Sequence, residues 1–536
     1  MRSYDLLVTG GGVNGTGIAR DAAMRGLSTV LVEKKDFAAG SSGANSGMIH
    51  GGIRYLMDDP QVTRLACLDS GYIQRIAPHL LFRIPFLYPV VLEHPGEPTL
   101  KDRAFLYGAE CYFEAYDRYQ PLKNGKPHTR LTDEELHEIE PGIVAGTLGA
   151  VTMDEYGIDP FRLCTLNARS AAEHGADVRN HTQVTKLSYD GSWLVELNGT
   201  EQVRAKTVFN AGGPWAPKIA ALAGHELKIR PGKGVHVTLD RRLSNYGVIC
   251  KAIDGRDVFV MPHEDSSIIG TTDDDFYGDP DELSVSQDEV EYLMTAAERA
   301  FPLVRQARIL RAWAGVRPTL WRYGPLEDAL SRDHEITHHG NGFYSIVGGK
   351  LASFRAMAEE AVDVVARALG KGANCETHRK PLPGGAHAPP PAEVLSNTYG
   401  VPAFAAARVA YRHGAEATEV LSLVQDRPEL AAVCCPCEGV TFAELEFART
   451  REFATSVLDL RRRCRLAMGV CQGTRCIGPA AALVENLDEA RALLDERWKG
   501  QRPVLAGDGL AQAELLQATY FGTGALHHDA AEAPWR

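Results

Sequence analysis

Near its start the chain reads Tyr4-Asp-Leu-Leu-Val-Thr-Gly10-Gly-Gly12-Val-Asn-Gly15, a short apolar run that enters a glycine turn. Residues 4–9 predict a buried strand, and a helix is expected to follow from about Asn14 to Arg25, where Gly26 ends it. The next apolar run, residues 28–33, predicts a second buried strand closed by the carboxylate of Glu33. These elements form a βαβ unit, which predicts an α/β fold.

The glycines of this unit have the spacing of a dinucleotide site. Gly10 permits the tight turn, Gly12 lets a pyrophosphate approach the backbone, and Gly15 lets the helix pack on the strand. The phosphates would meet the helix N-terminus, and Glu33 could accept the ribose hydroxyls. The motif alone is weak and could be a structural turn. In register with two strands and the terminal acid, it predicts dinucleotide binding.

Two further segments favour FAD over NAD. A loop of small residues, Gly40-Ser-Ser-Gly-Ala-Asn-Ser-Gly47, follows the second strand, and residues 343–366 repeat a strand, a Gly348-Gly349-Lys350 turn and a helix. A long cofactor lying across a sheet needs both, and the second helix would direct its positive end at the isoalloxazine. The predicted cofactor-binding residues are Gly10, Gly12, Gly15, Glu33, Ser41, Ser42, Ser46, Gly212, Gly348, Gly349, Lys350 and Leu351.

The eleven cysteines include two close pairs near the C-terminus, Cys435-x-Cys437 and Cys471-x4-Cys476. Four thiolates can hold an iron–sulfur centre or zinc, and Cys434 with Cys437 would give a zinc-like C-x2-C spacing. A site without metal is the third alternative. Since a flavin collects two electrons and an iron–sulfur centre passes them on singly, the combination favours an electron-relaying flavoprotein dehydrogenase.

Composition excludes several classes of protein. The 536 residues, 44% of them hydrophobic, suffice for three or four domains of ~150 residues. We expect no membrane span, because no run approaches ~18 apolar residues, and we expect a cytoplasmic protein without a secretory signal. The net charge of −12 argues against nucleic-acid binding. An anionic substrate would therefore need a local basic pocket.

The rest of the chain is predicted to be β-rich first and helical later. Antiparallel strands are expected over residues 184–197, with further strands near residues 207–210, 236–239 and 258–261. Prolines mark residues 381–391 as a linker, with mostly helices beyond it. We predict interleaved FAD-binding and substrate domains (1–380), a linker and helical segment (381–430), a metal-binding domain (431–485) and a helical tail (486–536).

Several motifs resemble those of the FAD-dependent glycerol-3-phosphate dehydrogenases, over residues 1–370 and in order. The tail is similar to the catalytic subunit of the anaerobic type, whose C-terminal region is like bacterioferritin-associated ferredoxin. One motif departs from the anaerobic pattern, because His50-Gly-Gly-Ile-Arg-Tyr55 looks like that of the aerobic, single-chain type. The motifs are Ile49-His-Gly-Gly-Ile-Arg-Tyr-Leu56, Ile269-Gly-Thr-Thr-Asp273, Gly315-Val-Arg-Pro318, Gly348-Gly-Lys-Leu351, Asp459-Leu-Arg-Arg-Arg463, Met468-Gly-Val-Cys-Gln-Gly473 and Glu496-Arg-Trp-Lys-Gly500.

The resemblance implies a glutathione-reductase-type FAD domain interleaved with a β-rich, D-amino-acid-oxidase-like substrate domain, plus a small helical C-terminal domain. It implies oxidation of sn-glycerol 3-phosphate to dihydroxyacetone phosphate. It also implies a [2Fe–2S] cluster on Cys435, Cys437, Cys471 and Cys476, with Cys434 as the alternative to Cys435. Electrons would pass to acceptor subunits or quinone, with a membrane-anchor partner, a peripheral location on the inner face of the cytoplasmic membrane and a homo-oligomer as further expectations.

The substrate's phosphate calls for permanently charged, bidentate donors, which favours arginine. By resemblance Arg54, Arg317 and Arg332 are the candidates, with Lys350 near the flavin, although Arg332 could simply pair with Asp333. Tyr55, Thr271 and Thr272 could line the pocket, or could serve as core and strand-end residues.

A base must take the hydroxyl proton, and histidine is the usual choice because its pKa lies near the operating pH. His50 and His236 are the two candidates, and His50 could instead orient the cofactor. The predicted catalytic residues are therefore His50, His236, Arg317 and Lys350. A flavin dehydrogenase of another polyol phosphate or a 2-hydroxy acid, and a non-catalytic electron-transfer subunit, remain as alternatives.

Overall fold

A computed structural model describes residues 1–57, 59–92, 97–321, 333–486 and 488–522. The strands are β1 Ser3–Thr9, β2 Thr29–Val32, β3 Leu81–Val91, β4 Arg130–Leu131, β5 Thr147–Ile158, β6 Asp177–Arg179, β7 Val184–Tyr189, β8 Trp193–Leu197, β9 Glu201–Asn210, β10 Ile229–Leu239, β11 Gly247–Lys251, β12 Asp257–His263, β13 Ser266–Gly270, β14 Asp274–Asp275, β15 Ile309–Leu320, β16 His334–Gly340, β17 Phe343–Gly348, β18 Val433–Cys435 and β19 Val440–Thr441.

Helices pack on these strands and form most of the C-terminal part. They are α1 Val13–Met24, α2 Pro60–Ile76, α3 Leu100–Asp117, α4 Asp133–Ile139, α5 Pro160–Glu173, α6 Ala216–Leu222, α7 Gln287–Glu298, α8 Phe354–Leu369, α9 Ala392–Tyr399, α10 Ala403–His413, α11 Ala417–Asp426, α12 Phe442–Arg451, α13 Val457–Cys464, α14 Ile477–Leu483, α15 Asp488–Gln501 and α16 Gly507–Gly522. The predicted α/β class is confirmed.

The first sheet carries the predicted βαβ unit. Its order is β16-β17-β9-β1-β2-β6, with β7 and β8 continuing from β9. Strand β1 pairs in parallel with β2 and with β9, and α1 packs on the sheet through small and aliphatic residues such as Ile18 and Ala22. The predicted strand and helix in this unit, and the antiparallel pair β7–β8, are confirmed.

The second sheet is mostly antiparallel and comes from chain segments that alternate with those of the first. Its order is β14-β10-β13-β12-β11-β3-β5-β4, and β15 pairs with β10 along its whole length. One face buries an aliphatic core that includes Val235, Val237 and Leu293. The period of two in β10 therefore turns Gly234, His236 and Thr238 to the opposite face.

The part after the proline-rich segment is helical apart from a small hairpin. Strands β18 and β19 form the hairpin, and their turn contains Cys437. A separate core packs Val440, Leu460 and Leu493 together with Cys435 and Cys476. We call residues 433–483, which carry the four predicted ligands, the cysteine module.

Buried ion pairs join the cysteine module to the first sheet's helices. The guanidinium of Arg162, on α5, lies 2.5 Å from the carboxylate of Glu452, and Arg463 binds both oxygens of Asp36 at 2.6 and 2.8 Å. All four side chains are almost completely buried. Because breaking a buried pair leaves an uncompensated charge, these contacts fix how the two parts meet.

A membrane-spanning helix is not found among the described residues, since none of their helices is both long and apolar enough.

Candidate active site

The glycine turn after β1 has the close backbone approach that the spacing predicts. Gly10 adopts a φ of +114°, and an added Cβ there would lie 2.5 Å from the carbonyl oxygen of Ala211. A Cβ on Gly15 would lie 1.8 Å from the carbonyl oxygen of Gly10. Side chains are therefore excluded where the helix meets the strand, which leaves the N-terminus of α1 open to an anion.

The carboxylate of Glu33 lies at the end of β2, beside the turn. It accepts hydrogen bonds from the backbone N–H of Gly11 at 2.6 Å and of Lys35 at 2.8 Å. Burial raises its pKa against the opposing effect of these bonds. A half-buried carboxylate at this position is well placed to bind ribose hydroxyls, so the residues fit a dinucleotide.

The loop from Gly40 to Gly47, which we call the flavin loop, lies between the glycine turn and β15. The hydroxyl oxygen of Ser42 accepts the backbone N–H of Val13 at the start of α1, at 2.9 Å. On the other side, the hydroxyl of Ser41 donates to the carbonyl of Val316 at 2.5 Å. The loop thus contacts both the start of α1 and strand β15 of the second sheet.

The second glycine turn has a geometry that only glycine adopts easily. Gly348 and Gly349 have φ of +82° and +81°, and α8 begins shortly after, at Phe354. Leu351 opens the single helical turn between them. Gly212 lies just past the end of β9, where its N–H donates to the side-chain oxygen of Asn210. The predicted cofactor residues therefore come from the ends of β1, β2, β9 and β17.

A group of cations surrounds His50. The ammonium of Lys350 lies 3.9 Å from the ring centroid of Tyr55, and the guanidinium of Arg54 lies 4.8 Å from it. Burial, together with the charges of Lys350, Arg54 and Lys123, lowers the pKa of His50 to about 3. The imidazole is therefore neutral at physiological pH and able to accept a proton.

Lys123 belongs to this group but has its own counter-ion. Its ammonium is fully buried, lies 2.5 Å from the carboxylate of Glu155, and donates to the carbonyl of Asp154. Glu155 in turn accepts the hydroxyl of Tyr116 and the N–H of Gly51. This network holds the backbone next to His50. Lys123 could not be recognised from the sequence, because it lies 73 positions from His50 in the chain.

Arg317 is held by the segment that follows β13. Its guanidinium donates to the carboxylate of Asp273 at 2.8 Å and to the hydroxyl of Thr271 at 3.0 Å. The absence of a side chain at Gly234 leaves the space it occupies, since a Cβ there would lie 2.4 Å from it. The hydroxyl of Thr272 accepts the N–H of Val235 instead. Thr271, rather than Thr272, therefore contacts the guanidinium through its side chain.

His236 points inward. Its Nε2 lies 2.9 Å from the hydroxyl of Ser46, and its ring stacks on Trp313 with centroids 5.3 Å apart and planes 8° apart. Burial and the charge of Arg317 lower its pKa to about 3. Both candidate bases are thus neutral, and both adjoin the segment from Ser41 to His50.

Trp313 is a site residue that sequence analysis missed. It lies on β15, where Trp313, Gly315 and Arg317 alternate onto one face. The alternation of residues along the strand before Arg317 is the sequence pattern from which Trp313 could have been predicted. The candidate Arg332 lies outside the described residues.

The four predicted ligand cysteines converge from the β18–β19 turn and the segment before α14. The thiol of Cys476 influences the pKa of Cys435, the thiol of Cys471 influences that of Cys437, and Cys434, Cys435 and Cys471 all influence that of Cys476. No three of these sulfurs lie within 4.8 Å of one another in the part of the chain that the structure describes. The four thiols are neighbours in space, although they come from two segments of the chain.

A second group of polar side chains, Asp36, His181 and Asp459, has ligand atoms within 4.8 Å of one another. Asp36 already binds Arg463 through both oxygens, and Asp459 caps α13. Since these contacts satisfy both carboxylates, we interpret the group as an ion-pair network.

Two family models match the chain. The model described as FAD dependent oxidoreductase matches residues 5–355, and the model described as C-terminal domain of alpha-glycerophosphate oxidase matches residues 375–487. The first match spans both sheets and the candidate site. The second contains all four predicted ligand cysteines.

Individual proteins agree with these matches. The chain is 33% identical to a subunit of the anaerobic glycerol-3-phosphate dehydrogenase of Escherichia coli K12, over 99% of both chains. It is 34% identical to the corresponding subunit from Haloferax volcanii, over 99% of this chain and 92% of that one. The crystal structure of glycerol-3-phosphate dehydrogenase from Bacillus halodurans complexed with FAD aligns with a TM-score of 0.72, at 24% identity, over 94% of this chain and 97% of that one.

Proposed function

Because the chain belongs to the family of FAD-dependent glycerol-3-phosphate dehydrogenases, we propose that it oxidises sn-glycerol 3-phosphate to dihydroxyacetone phosphate. The observation that carries the proposal is the concentration of cations around two neutral histidines, in a protein whose net charge is −12. Bound FAD supplies the hydride acceptor, and a bound [2Fe–2S] cluster supplies a one-electron carrier. The chain's own residues bind, orient and deprotonate the substrate.

The FAD phosphates would lie at the N-terminus of α1, where Gly10, Gly12 and Gly15 keep side chains away. Glu33 would hold the adenosine ribose. The flavin loop, through Ser41, Ser42 and Ser46, would follow the cofactor from phosphate to ring. Gly212 and the turn Gly348–Leu351 would close the site from the neighbouring strand ends.

The substrate's phosphate would be bound by Arg54 and Arg317, with Lys350 close to the reacting carbon. Arginine offers two parallel N–H donors to a phosphate, whereas lysine acts as a point charge. Asp273 and Thr271 hold the Arg317 guanidinium in one orientation. Arg332 is proposed as a further phosphate ligand by family likeness, and Tyr55 and Thr272 as pocket residues.

Either His50 or His236 would take the hydroxyl proton. Burial and nearby cations hold both pKa values at about 3 in the free protein. A dianionic substrate between these cations offsets their charge, which raises the pKa of the histidine toward the operating pH. Binding of the correct anion would therefore activate the base.

We propose a [2Fe–2S] cluster rather than zinc at the four cysteines. A tetrahedral zinc site with Zn–S bonds of about 2.3 Å places all four sulfurs about 3.8 Å apart. Among the described residues no three of the four sulfurs lie within 4.8 Å of one another, which suits two irons with two cysteines each better than one zinc ion. The buried Arg412 and Arg465, which contact Glu438 beside Cys437, would stabilise the negative charge of a reduced cluster.

The electrons would then leave to a partner. The relatives in Escherichia coli and Haloferax volcanii are named as subunits. By that likeness we propose an acceptor subunit or quinone, on the inner face of the cytoplasmic membrane.

Anaerobic mixing with sn-glycerol 3-phosphate tests the proposal. We expect loss of the oxidised-flavin absorbance, followed by an electron paramagnetic resonance signal from a reduced cluster, in protein with about two irons and two sulfides per chain. Glycerol, which lacks the phosphate, is the matched control. Bleaching by lactate instead would favour a 2-hydroxy acid, and bleaching by no substrate would favour a non-catalytic electron carrier.

A further inference from the structure

A cavity of about 670 Å³ separates the flavin loop from the cysteine module. Its walls include Gly43–Gly47 of the loop, Leu310–Val316 of β15, and Cys437 with Met468–Val470 of the module. Among the described residues, the cavity is not lined by either glycine turn, Gly10–Gly15 or Gly348–Leu351. We call it the junction cavity. Its volume is in the range of small-molecule sites, about 300–1,000 Å³.

The junction cavity is positively charged, unlike the protein. Nine basic and six acidic side chains line it, and two of the basic ones, Arg83 and Arg462, pair with carboxylates outside it, so an excess of one positive charge remains in a chain whose net charge is −12. A cleft of one sign with low-dielectric walls focuses the field and attracts an ion of the opposite sign. The cavity therefore favours an anion.

The excess positive charge comes from two arginines that face the same carboxylate, that of Glu496 on α15. This carboxylate is shared by Arg311 at 3.3 Å and Arg461 at 3.8 Å, and both guanidiniums line the cavity. Arg461 is 7% exposed and has no hydrogen bond among the described residues, while Nε of Arg311 is buried without an acceptor. The buried Arg461 and the partly buried Arg311 share one carboxylate, which leaves a positive charge for a bound anion to neutralise.

Flat side chains supply a second kind of contact. Trp215 and Phe161 line the cavity from the side of the first sheet, and Trp313 lines it from β15. Trp313 is held rigidly by its stack on His236. Aromatic walls of this kind suit a planar ring system, since offset stacking is favourable.

Two redox groups of the proposed function adjoin the same space. Ser46, in the flavin loop, and Cys437, a proposed cluster ligand, both line the cavity. An occupant would therefore contact both the loop proposed to hold the flavin and the proposed cluster ligand Cys437.

We propose that the junction cavity binds a planar aromatic redox carrier with an anionic group, held by Arg311 and Arg461, which receives the electrons of the reaction. This rests on the proposed function. Oxidation of the substrate would release two electrons and two protons. The carrier would gain the two electrons, a cluster held at Cys437 would supply a one-electron route, and the protons would be exchanged through water. The anionic group could be a phosphate, as in a flavin mononucleotide, or an acid group on a quinone.

Equilibrium dialysis of the FAD-loaded protein, without substrate, tests the site separately from catalysis. Flavin mononucleotide and riboflavin form one arm, because they differ only in the phosphate, and anthraquinone-2-sulfonate forms the other. We expect at least one anionic probe to bind, with riboflavin about tenfold weaker than flavin mononucleotide if the phosphate is the recognised group. Loss of FAD on probe binding would show that the probe occupies the cofactor site, and would overturn the proposal.

Four variants locate the bound probe. Arg461→Gln and Arg311→Gln should each weaken it about tenfold or more, because each removes a charge-assisted contact. Ser284→Trp, at an exposed position on the cavity's rim, should block binding of the probe while leaving both arginines in place. Arg305→Gln, an exposed arginine outside the cavity, should leave it unchanged. Equal binding to all four proteins, or no binding of any probe to the unchanged protein, would overturn the proposal.

Flavin bleaching by sn-glycerol 3-phosphate, measured without an acceptor, distinguishes failure of the proposed acceptor site from failure of the proposed function. If Arg461→Gln bleaches normally and loses the probe, the cavity is an acceptor site. If no protein bleaches but the probe still binds at Arg461, the proposed substrate is wrong and the binding site stands.

Discussion

Nε2 of His236, on β10, lies 2.9 Å from the hydroxyl oxygen of Ser46, in the flavin loop. This hydrogen bond joins a strand of the second sheet to the loop that we expect to contact the flavin. It also sets which way the imidazole faces, since the same ring is fixed from the other side by Trp313.

Replacing Ser46 by alanine should loosen this junction. Nδ1 of His236 has no partner among the described residues, so the change leaves both ring nitrogens buried and unbonded, at a cost of about 1–3 kcal/mol. Urea unfolding should show the loss, and stopped-flow absorbance should show slower flavin reduction. Ser188→Ala, at an exposed strand position, is the control. Wild-type stability and rate in Ser46→Ala would show that the contact has no such role.

Arg317→Lys should lower kcat/KM for sn-glycerol 3-phosphate by about 10- to 100-fold. Lysine keeps the charge but cannot donate to Asp273, Thr271 and a phosphate in one plane, and each charged hydrogen bond contributes about 1.5–3 kcal/mol. Steady-state kinetics at constant FAD content measures the effect. Arg305→Lys, at an exposed ion pair with Glu291, should change nothing. An unchanged kcat/KM in Arg317→Lys would remove Arg317 from the substrate site.

Cys435→Ser should abolish the cluster, and Cys434→Ser should not. Cys435 forms the C-x-C spacing with Cys437, and the thiol of Cys476 influences its pKa, whereas Cys434 lies outside that spacing. Iron analysis and electron paramagnetic resonance of the dithionite-reduced proteins distinguish the two. Iron lost from Cys434→Ser and retained in Cys435→Ser would reverse the assignment.

Gly15→Ala should abolish FAD binding or folding. Its Cβ would overlap the carbonyl oxygen of Gly10, 1.8 Å away, and so separate α1 from the strand. Gly108→Ala, in α3, is the matched control because nothing lies within 4 Å of its Cβ. Since alanine favours helix over glycine, the control should gain up to about 1 kcal/mol. FAD absorbance and thermal unfolding measure both, and normal FAD content in Gly15→Ala would contradict the geometry.

Acid should destabilise the protein in part through His79. Burial lowers its pKa to about 3, against about 6.5 in an unfolded chain. Between these values the unfolded state binds a proton that the folded state does not, so stability falls as pH falls below 6.5, by about 1.4 kcal/mol per pH unit for one such group.

The variant His79→Gln removes the imidazole that binds this proton in the unfolded state. Its unfolding temperature, followed by calorimetry from pH 7.5 to 5.0, should depend less on pH than that of the wild type. His387→Gln, at an exposed histidine, should keep the wild-type slope. An equal slope in His79→Gln would mean that this histidine is protonated in the folded state.

Sequence analysis predicted the first sheet well. The strand, turn and helix from residue 4 to residue 25, the antiparallel pair at 184–197, and the strand and helix after residue 343 all agree with the structure. Each depends on local periodicity and on glycines at turns, which a single stretch of chain can reveal. The family, recognised from short motifs, was also confirmed by the comparisons.

The sequence could not show which polar side chains meet. It offered both Thr271 and Thr272 as pocket residues, and only the structure shows that the hydroxyl of Thr271 meets the guanidinium of Arg317. It gave no reason to connect Lys123 with His50, or Arg461 with Arg311. Such contacts join residues that are far apart in the chain and depend on the packing of whole elements.

The amino-acid sequence by itself determined the βαβ unit, the glycine turn for a dinucleotide and the four clustered cysteines, because turn sterics and strand or helix periodicity act over a few residues. Only the tertiary structure decided that His236 meets Ser46, 190 positions away in the chain, and that a positively charged cavity separates the flavin loop from Cys437. Those relationships arise when two sheets and the cysteine module pack together, and their contacts are spread over segments that no local pattern connects.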